Sequence, residues 1–518
     1  MSYSKDLGSA LTNTKLRTPK DVSTFSGMCS VCTATCAGSC EIGLSAIRGS
    51  EAIFPTSTNK NQIASEKNYP LDFSHFNING RVFGTQGCNE NVKEASYPNV
   101  NIETGLGKSN EIRLKAPIIL PAISKLNWKD YYAGAALAGV VAVIGEDVVA
   151  KDSELILEGG KVKSSPLLKE MVSAYRIYQQ QDFGDIVLQA NIDDDYLGVL
   201  EYAIKELDIK SVEIKLGQAA KGIQGLRRIE DINEALKFQQ MGYIIYPDPS
   251  DIKIAENYRK GNGPVFEKIG KLPLWNEDTL RDRIEDLRKC GAERICLKAG
   301  PYDPKDLIKI IKIASLAKVD LITFDGSGGG SGNSPVKMMN EWGIPTVYLE
   351  KIVYDIMSKL DEKGYDLPHV AIAGGFAMED QVFKGLSLGA PYINLVGIGR
   401  AAMAAAMVGK HMGDLIRQKK VPKEFKQFGS SLEEIFEDAK IIKEIYGQKI
   451  SNIPPGAIGL YSYIQRISVG LQQLMALNRK FSLKYIDRED IIPLTDLASQ
   501  ITGLETATAR LQKELRNI

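Results

Sequence analysis

Four cysteines lie close together near the start of the chain. They fall within twelve positions and are separated by two, three and three residues. Thiolates at this density, with small residues between them that let the backbone wrap round a cofactor, are typical of an iron–sulfur cluster held by four sulfurs. The spacing therefore predicts a cluster of the 4Fe-4S type with the ligands Cys29, Cys32, Cys36 and Cys40.

Two other interpretations of this cysteine quartet stay open. Zinc could take Cys29 and Cys32 as one ligand pair, although structural zinc sites more often have two pairs set well apart. Structural or redox-active thiols are the other alternative, but disulfides have little support in a chain without a secretory signal. Cys88 could join the cluster or play no part, while Cys290 and Cys296 are expected to be core residues, since free cysteine is commonly buried.

A second stretch that could do chemistry is rich in glycine. Residues 324–335 contain five glycines within seven positions and follow the apolar run 319–323. This pattern predicts a buried parallel strand that ends at the mouth of a site, where main-chain N–H groups can approach a ligand closely. A flexible linker would have a similar composition, but the residues on both sides of the stretch resemble folded sequence.

The bulk composition excludes some classes of function. The 518 residues are 44% hydrophobic and 25% charged, as in an ordinary globular protein, and they allow one large barrel with appendages or two to three domains. Lys and Arg total 64, as do Asp and Glu, so no global positive field indicates nucleic acid. With only three histidines, His75, His369 and His411, mechanisms that need several histidines are disfavoured.

No segment of the sequence has the character of a membrane anchor or a secretory signal. The first residues are charged and build no apolar core. The longest weakly polar run, residues 131–145, is too short to span a bilayer. We therefore expect a cytoplasmic protein with no membrane partner.

From Ala116 onward, short apolar runs alternate with amphipathic stretches, which is the βα pattern of a parallel sheet or barrel. Nine candidate strands compete for the eight positions of a barrel, and the runs at Ile186 and Tyr243 are the doubtful ones. The candidates are Ile118 to Leu120, Val141 to Ile144, Ile186 to Gln189, Val212 to Leu216, Tyr243 to Tyr246, Arg294 to Leu297, Leu321 to Phe324, Val370 to Ala373 and Tyr392 to Val396.

Strand after strand in this region ends in glycine, in a charged residue or in both. The carboxyl ends of the strands form the active site of a TIM barrel, so this repetition predicts an α/β fold of that type. Six strand ends have this character. Tight turns alone would easily explain one of them, but they poorly explain all six. The last two ends, at residues 373–376 and 396–400, are where many such barrels hold a phosphate with backbone N–H groups and a helix N-terminus.

The sequence divides into three predicted regions. Residues 1–110 carry the cysteines and show little periodicity, residues 111–428 form the barrel, and residues 429–518 form a helical appendage without a convincing strand. The appendage is a candidate for an oligomer contact, and we expect a homo-oligomer.

Four segments of the predicted barrel together resemble the FMN-binding domain of the glutamate synthase family. Residues 212–222 are similar to the family's IKxxQGAKPG stretch, with alanine for its first glycine and no proline at its end. Residues 325–331 are similar to its DGGTGAS loop, slightly expanded. Residues 373–376 stand where the family has DGG, and residues 388–390 match its LGA. The resemblance implies a TIM barrel with FMN at its C-terminal face.

The resemblance also implies roles for individual residues. Gln189 and Lys298 would lie against the flavin, and a lysine there would stabilise the anionic reduced ring. The other predicted FMN contacts are Asp325, Gly326, Ser327, Gly328, Gly329, Gly374, Gly375, Gly397, Gly399 and Arg400, of which the last two and the Gly374–Gly375 pair would hold the phosphate. The predicted catalytic residues are Glu146, Lys215, Gln218 and Lys298, although Lys215 and Lys298 could instead be ion-pair lysines at the barrel mouth.

Two departures from the family change the expected reaction. The chain begins without the family's glutaminase domain, so it should not hydrolyse glutamine alone and could depend on a separate glutaminase subunit. The family's three-cysteine motif after the last strand is also missing, because no cysteine follows Cys296. The N-terminal quartet could replace that motif as the point where electrons enter from a carrier such as ferredoxin or a reductase subunit.

The resemblance thus implies glutamate biosynthesis by an oxidoreductase of the type that acts on CH–NH2 groups. Electrons would pass through the cluster and FMN to the imine of a 2-oxo acid, formed from 2-oxoglutarate and either ammonia or an amine. Two alternatives remain: an FMN barrel oxidoreductase for another anaerobic metabolite, and an electron-transfer subunit without catalysis of its own.

Overall fold

The structure is a computed structural model in which residues 46–49, 69–88, 91–107, 111–123, 126–180, 182–217, 227–327, 329, 338, 341–447, 452–516 and 518 are described. The four predicted cluster ligands, Cys29, Cys32, Cys36 and Cys40, lie outside the described residues. So do Gln218 and Gly328, two of the predicted barrel-mouth residues.

Eight parallel strands close into a barrel, with each strand paired to the next one along the chain and the last paired to the first. This confirms the predicted (β/α)8 fold. Labelled β1 to β8 in chain order, the strands are Ile118–Ile123, Val141–Ile144, Ile186–Ala190, Ser211–Lys215, Arg294–Ala299, Leu321–Asp325, His369–Ala373 and Ile393–Gly397.

The ninth candidate strand lies outside the barrel. The run at Tyr243 contributes Ile244–Tyr246 to a small antiparallel sheet with Arg227–Ile229 and Phe266–Ile269, in which Phe266–Ile269 is central. Its burial alternates from exposed to buried to exposed, as expected for a sheet with one covered face. The run at Ile186 is buried throughout and is β3. The small sheet belongs to an insertion between β4 and β5.

The barrel interior is filled by side chains at alternate strand positions. Its apolar layer includes Ile119, Val143, Val187 and Leu395. Two further leucines complete this cluster from a hairpin that precedes the barrel, Leu106 on strand Thr104–Leu106 and Leu114 on strand Ile112–Leu114. The hairpin therefore closes the amino-terminal end of the barrel, and the other end is left for a site.

Helices follow the strands and cover the outside of the barrel. The helix after β5 begins at Pro304 because the side chain of Asp303 accepts a hydrogen bond from the Lys305 amide and proline is tolerated in the first turn. Between β1 and β8 the helices are Trp128–Ala138, Pro166–Arg176, Ile192–Tyr196, Val199–Leu207, Ile232–Gln240, Ile252–Arg259, Glu277–Cys290, Pro304–Leu316, Thr346–Asp361 and Glu379–Leu388, with a hairpin of Ile156–Glu158 and Lys161–Ser164 after β2.

The chain after β8 folds back onto the barrel. Its helices are Arg400–Arg417, Leu432–Ile435, Ala439–Tyr446, Pro455–Leu477, Asp496–Thr502 and Ala507–Leu515. The sequence did not predict a strand in this region, but Ile491–Pro493 is one. It pairs antiparallel with Phe76–Ile78, so the two ends of the described chain share a small sheet. A three-residue strand carries too little periodicity to be recognised in a sequence.

The longest helix of this region, Pro455–Leu477, packs closely on a barrel helix. A Cβ atom on Gly459 of this helix would lie only 2.8 Å from the Cα atom of Gly409, which is on the helix Arg400–Arg417. The amide of Gly456 donates to a carboxylate oxygen of Asp130 at 2.9 Å, which ties the helix to the one that follows β1. These contacts require small residues because larger ones would separate the helix axes.

Across the described ranges, no helix is both long enough and apolar enough to cross a bilayer.

Candidate active site at the barrel mouth

The carboxyl ends of the barrel strands bring most of the predicted site residues together. Gln189, Lys215 and Lys298 are interior residues of β3, β4 and β5, and all three are buried. In the strand register, Lys298 is opposite Lys215 on one side and opposite Thr323 of β6 on the other. One side of the mouth, from β3 to β6, is therefore lined with polar side chains.

Three polar atoms on this side are buried and make no hydrogen bond to the described part of the protein. They are Oε1 of Gln189, Nζ of Lys298 and Oγ1 of Thr323. The residues are 1%, 6% and 1% exposed, so bulk water does not solvate them freely. Buried polar atoms without partners are unusual in folded proteins because each costs about 1–3 kcal/mol. Their grouping indicates that a polar ligand completes their hydrogen bonds.

Both mouth lysines have an acidic neighbour. Lys215 Nζ donates to Glu146 Oε1 at 2.5 Å, and Glu146 follows the end of β2. Lys298 Nζ lies 3.5 Å from Asp325 Oδ2 at the end of β6, a separation that makes an ion pair without a hydrogen bond. Glu146 is partly exposed at the mouth, whereas both lysines are buried.

The opposite side of the mouth consists of glycine and small residues. Gly374 and Gly375 follow β7 with φ angles of 119° and 100°, which L-residues with side chains rarely adopt. A Cβ atom at Gly375 or Gly399 would meet nothing within 4 Å. The 18-residue helix that begins at Arg400 starts directly after Gly399, so the positive end of its dipole adjoins this open space.

The glycine-rich loop after β6 is packed against its neighbours. A Cβ atom at Gly326 would lie 2.2 Å from Oγ1 of Thr346, and one at Gly329 would lie 1.9 Å from Oδ1 of Asp325. On the adjacent strand, a Cβ atom at Gly397 would lie 2.7 Å from that of Ala373. These three glycines are needed for close packing, whereas Gly375 and Gly399 border empty space.

A charged cluster beside the mouth joins the insertion to the barrel. Lys268 of the small sheet is buried, with Nζ 3.0 Å from Oδ1 of Asp147 and 3.8 Å from the ring centroid of Tyr243. The Asp147 amide donates to Oδ2 of Asp194 at 2.9 Å. Burial, reinforced by the charge of Asp147, raises the pKa of Asp194 well above its usual range. The sequence analysis missed this cluster because its members are up to 121 residues apart.

Glu213 is a second residue that the sequence analysis did not identify. It stands on β4 between the base and the mouth, is 2% exposed and accepts a hydrogen bond from the side-chain amide of Gln189. Burial raises the pKa of its carboxyl, while the charges of Lys298 and Lys215 lower it. The sequence did contain a signal for Glu213. It is two residues before Lys215 on the same strand, and residues two apart on a strand face the same side, so Glu213 could have been assigned to the barrel interior with Lys215.

The described residues contain no group of three or more His, Cys, Asp or Glu side chains that could hold a metal ion. Cys290 and Cys296 are free thiols, and Cys88 is partly buried against the core. Cys296 is an interior residue of β5 and the other two are partly buried, so the expectation of core positions is confirmed for Cys296. The predicted cluster ligands are outside the described ranges, and the cluster stays a prediction.

Comparison with known proteins gives two kinds of match. Residues 272–411 match the family model described as the conserved region in glutamate synthase. A 203-residue stretch is 28% identical to the archaeal-type glutamate synthase [NADPH] of Dehalococcoides mccartyi, covering 39% of this chain and 36% of that protein. The chain therefore matches about a third of the length of this relative.

Solved structures also align with this chain, at low identity. The flavin-binding domain of baker's yeast flavocytochrome b2 aligns with a TM-score of 0.45 and 14% identity over 85% of this chain and 81% of that one. A mandelate oxidase aligns with a TM-score of 0.43 and 12% identity over 80% and 87% of the two chains. The match to the family model covers the segment from the helix before β5 to the helix after β8. Residues 272–411 carry the conserved region of glutamate synthase, and the predicted resemblance is confirmed there.

Proposed function

We propose that the protein is an FMN-dependent oxidoreductase that reduces the imine of a 2-oxo acid, with electrons supplied through an N-terminal iron–sulfur cluster. The observation that carries the proposal is the arrangement at the mouth. Buried polar atoms that make no hydrogen bond to the described residues line one side, and a glycine cradle with a helix N-terminus lines the other. Four of the barrel strands that form this arrangement lie in the segment that matches glutamate synthase.

The residues at the mouth fit FMN in both of its parts. A flavin ring offers N–H donors and carbonyl acceptors at one edge, which suits the acceptor on Gln189, the cation of Lys298 and the hydroxyl of Thr323. A phosphate suits the open backbone at Gly375 and the helix N-terminus at Arg400. Bound there, FMN would supply the chemistry of accepting electrons and delivering them as hydride.

The mouth lysines have separate roles in this proposal. The charge on Lys298 Nζ stabilises negative charge in a ring beside it, and the low exposure of Lys298 strengthens that effect. Lys215 Nζ binds a substrate carboxylate, and Glu146 holds Lys215 in place until the substrate arrives. The predicted catalytic residue Gln218 follows β4 outside the described residues and remains a candidate for the substrate side.

The path of the chain supports an electron route from the quartet to the mouth. Tyr69 lies in the chain between the cysteines and the barrel, and its hydroxyl accepts a hydrogen bond of 3.0 Å from Ser327 in the glycine-rich loop. The ring of Phe73 lies 4.9 Å from that of Phe376, directly after Gly375. These contacts bring the chain that follows the cysteines to the proposed FMN site, which supports the proposal that a cluster on Cys29, Cys32, Cys36 and Cys40 delivers electrons there.

One observation favours the second candidate, an FMN barrel oxidoreductase for a different metabolite. A dicarboxylate such as 2-oxoglutarate calls for two available cations, but the charge on Lys215 is already matched by Glu146 at 2.5 Å. A substrate with a single carboxylate would need less rearrangement. In either case the proposed partners are an electron carrier such as ferredoxin or a reductase subunit, and a separate glutaminase subunit where glutamine supplies the ammonia.

The first experiment is anaerobic purification followed by visible spectroscopy and assay of iron, sulfide and flavin, before and after reduction. Released FMN with about four irons per chain is the expected result. Flavin without iron would remove the cluster and favour zinc or structural thiols at the quartet. Absence of FMN would contradict the proposed function.

A second experiment identifies the substrate. The reduced protein is mixed with 2-oxoglutarate and either ammonia or methylamine, and reoxidation of the flavin is followed together with the amino acid formed. We expect glutamate or N-methylglutamate. Rapid reoxidation by another oxo acid alone would support the second candidate, and no reoxidation by any oxo acid would support a pure electron-transfer subunit.

A further inference from the structure

Gln189 and Glu213 form a buried pair inside the barrel. They are directly opposite each other in the register of β3 and β4, and they are 1% and 2% exposed. Nε2 of Gln189 donates to Oε1 of Glu213. Oε1 of Gln189, the other end of the same amide, has no hydrogen-bond partner among the residues that the structure describes.

The Gln189 amide can make its hydrogen bond to the Glu213 carboxyl in one orientation only. A glutamine amide has one accepting and one donating end, so it can rotate by 180° when its partner can both donate and accept. An ionised carboxylate only accepts, and a protonated one keeps an accepting carbonyl oxygen. Glu213 therefore holds the NH2 group of Gln189 toward itself and leaves the carbonyl oxygen of the amide directed elsewhere.

We propose that Glu213 is a positioning residue that orients the Gln189 amide, so that the barrel interior presents an acceptor on β3 and, across β4 and one layer nearer the mouth, the donor Lys298 on β5. A ligand edge with an N–H donor next to a carbonyl acceptor is complementary to this pair, and the edge of a flavin ring has that pattern. The inference rests on the proposed function, since it deepens the account of how the mouth recognises its cofactor.

The neighbouring residues agree with this role. Cys296, the residue opposite Glu213 on β5, is a thiol with weak hydrogen-bonding ability, so it does not compete for the carboxylate. Lys298 is one layer nearer the mouth than Cys296, on the same interior face. Glu213 thus stands beneath the proposed ring site and acts on it through Gln189.

A double-mutant cycle on the binding of FMN to apoprotein tests the inference. Glu213→Gln keeps the shape of the side chain but can donate as well as accept, so it no longer selects one orientation of Gln189. We expect it to weaken FMN binding about fivefold, the worth of one net hydrogen bond. In the Gln189→Leu background the same change should have no further effect, because the group through which it acts is gone.

Several controls separate this role from a general effect on the fold. Glu350→Gln alters another fully buried glutamate, on the outer helix Thr346–Asp361, and should leave FMN binding unchanged. Thermal unfolding of each apoprotein shows whether it is folded. If Glu213→Gln does not fold, Glu213→Leu, which removes both acceptors, takes its place in the cycle.

The outcomes are distinct. Equal weakening of FMN binding by Glu213→Gln in both backgrounds would overturn the inference, since Glu213 would then act independently of Gln189. No weakening in the wild-type background would overturn it as well. A wild-type protein that binds FMN under either of these outcomes still supports the proposed function, whereas a wild-type protein that binds no FMN contradicts both.

Discussion

The barrel interior has two buried polar layers, and they differ in how completely their hydrogen bonds are made. At the base, Ser211 donates to Asp185, and Nε of Arg294 donates to Ser211 Oγ at 2.6 Å. Asp185 also accepts from the amide of Ile186 at 2.9 Å. At the mouth, four residues further along β5, Lys298 has an ion-pair partner but makes no hydrogen bond to the residues that the structure describes.

This difference distinguishes a structural layer from a binding layer. Polar groups at the base satisfy one another, so they hold strands together and need no ligand. A cavity of about 710 Å³ also lies at the base. Arg176 in its wall already donates to the carbonyl oxygens of Leu207 and Asp208. The mouth differs in that three strands, β3, β5 and β6, each bring a buried polar atom that makes no hydrogen bond to the described residues.

The largest expected effect is a loss of stability when the hydrogen bonds of the base layer are broken. Arg294→Met leaves the carboxylate of Asp185 buried without its counter-charge, so we expect a loss of about 3–5 kcal/mol in the free energy of unfolding. Urea denaturation at neutral pH measures this loss. Arg113→Met, which removes an exposed ion pair with Glu103 at the same end of the barrel, should cause no measurable change.

At the mouth, the expected effect is on catalysis. Lys298→Met removes the cation beside the proposed ring, so turnover should fall about 10²-fold, as for the loss of one preorganised charged donor. Lys298→Arg, which keeps the charge, should recover part of the rate. Lys384→Met removes a lysine paired with Asp380 on an outer helix and serves as the control. Unchanged turnover in Lys298→Met would refute the assigned role.

A matched pair of hydroxyl deletions compares the two layers directly. Ser211→Ala at the base breaks two hydrogen bonds and should cost about 1–3 kcal/mol in the unfolding of apoprotein. Thr323→Val at the mouth removes a hydroxyl without a partner, so the apoprotein should be as stable as wild type or more so. Its affinity for FMN should fall a few-fold. Equal destabilisation by both changes would contradict the distinction between the layers.

The smallest expected effect concerns pH. Burial raises the pKa of Glu213 in the folded protein above the value of about 4.5 that it has when unfolded. The stability that this group contributes is therefore full below pH 4.5 and is lost as the pH rises through the folded pKa. Glu213→Gln removes this dependence, so the variant should gain stability relative to wild type between pH 5 and pH 8. Urea midpoints at both pH values measure the difference.

Much of the fold could be predicted because each barrel strand leaves a local signal. Runs such as Val141–Ile144 are apolar throughout, as strands buried on both faces must be. Glycine repeats at the ends of β6, β7 and β8 likewise marked the mouth, since positions such as Gly374 demand a backbone that only glycine adopts readily. The ion-pair alternative for Lys215 and Lys298 was also foreseen.

Other features had no local signal. The strand Ile491–Pro493 pairs with residues more than 400 positions away. The insertion between β4 and β5 supplies Lys268 to Asp147, a contact that only the folding of that insertion creates.

The sequence by itself determined the barrel, its glycine-lined mouth and the lysines on two of its strands, because apolar runs, glycine and charge are properties of neighbouring residues. Only the tertiary structure decided which buried polar groups have partners. Asp185, Ser211 and Arg294 satisfy one another, while Gln189, Lys298 and Thr323 each keep an atom that makes no hydrogen bond to the described residues. The reason is that hydrogen-bond satisfaction depends on the register and closure of separate strands, which bring together residues from positions 185 to 323.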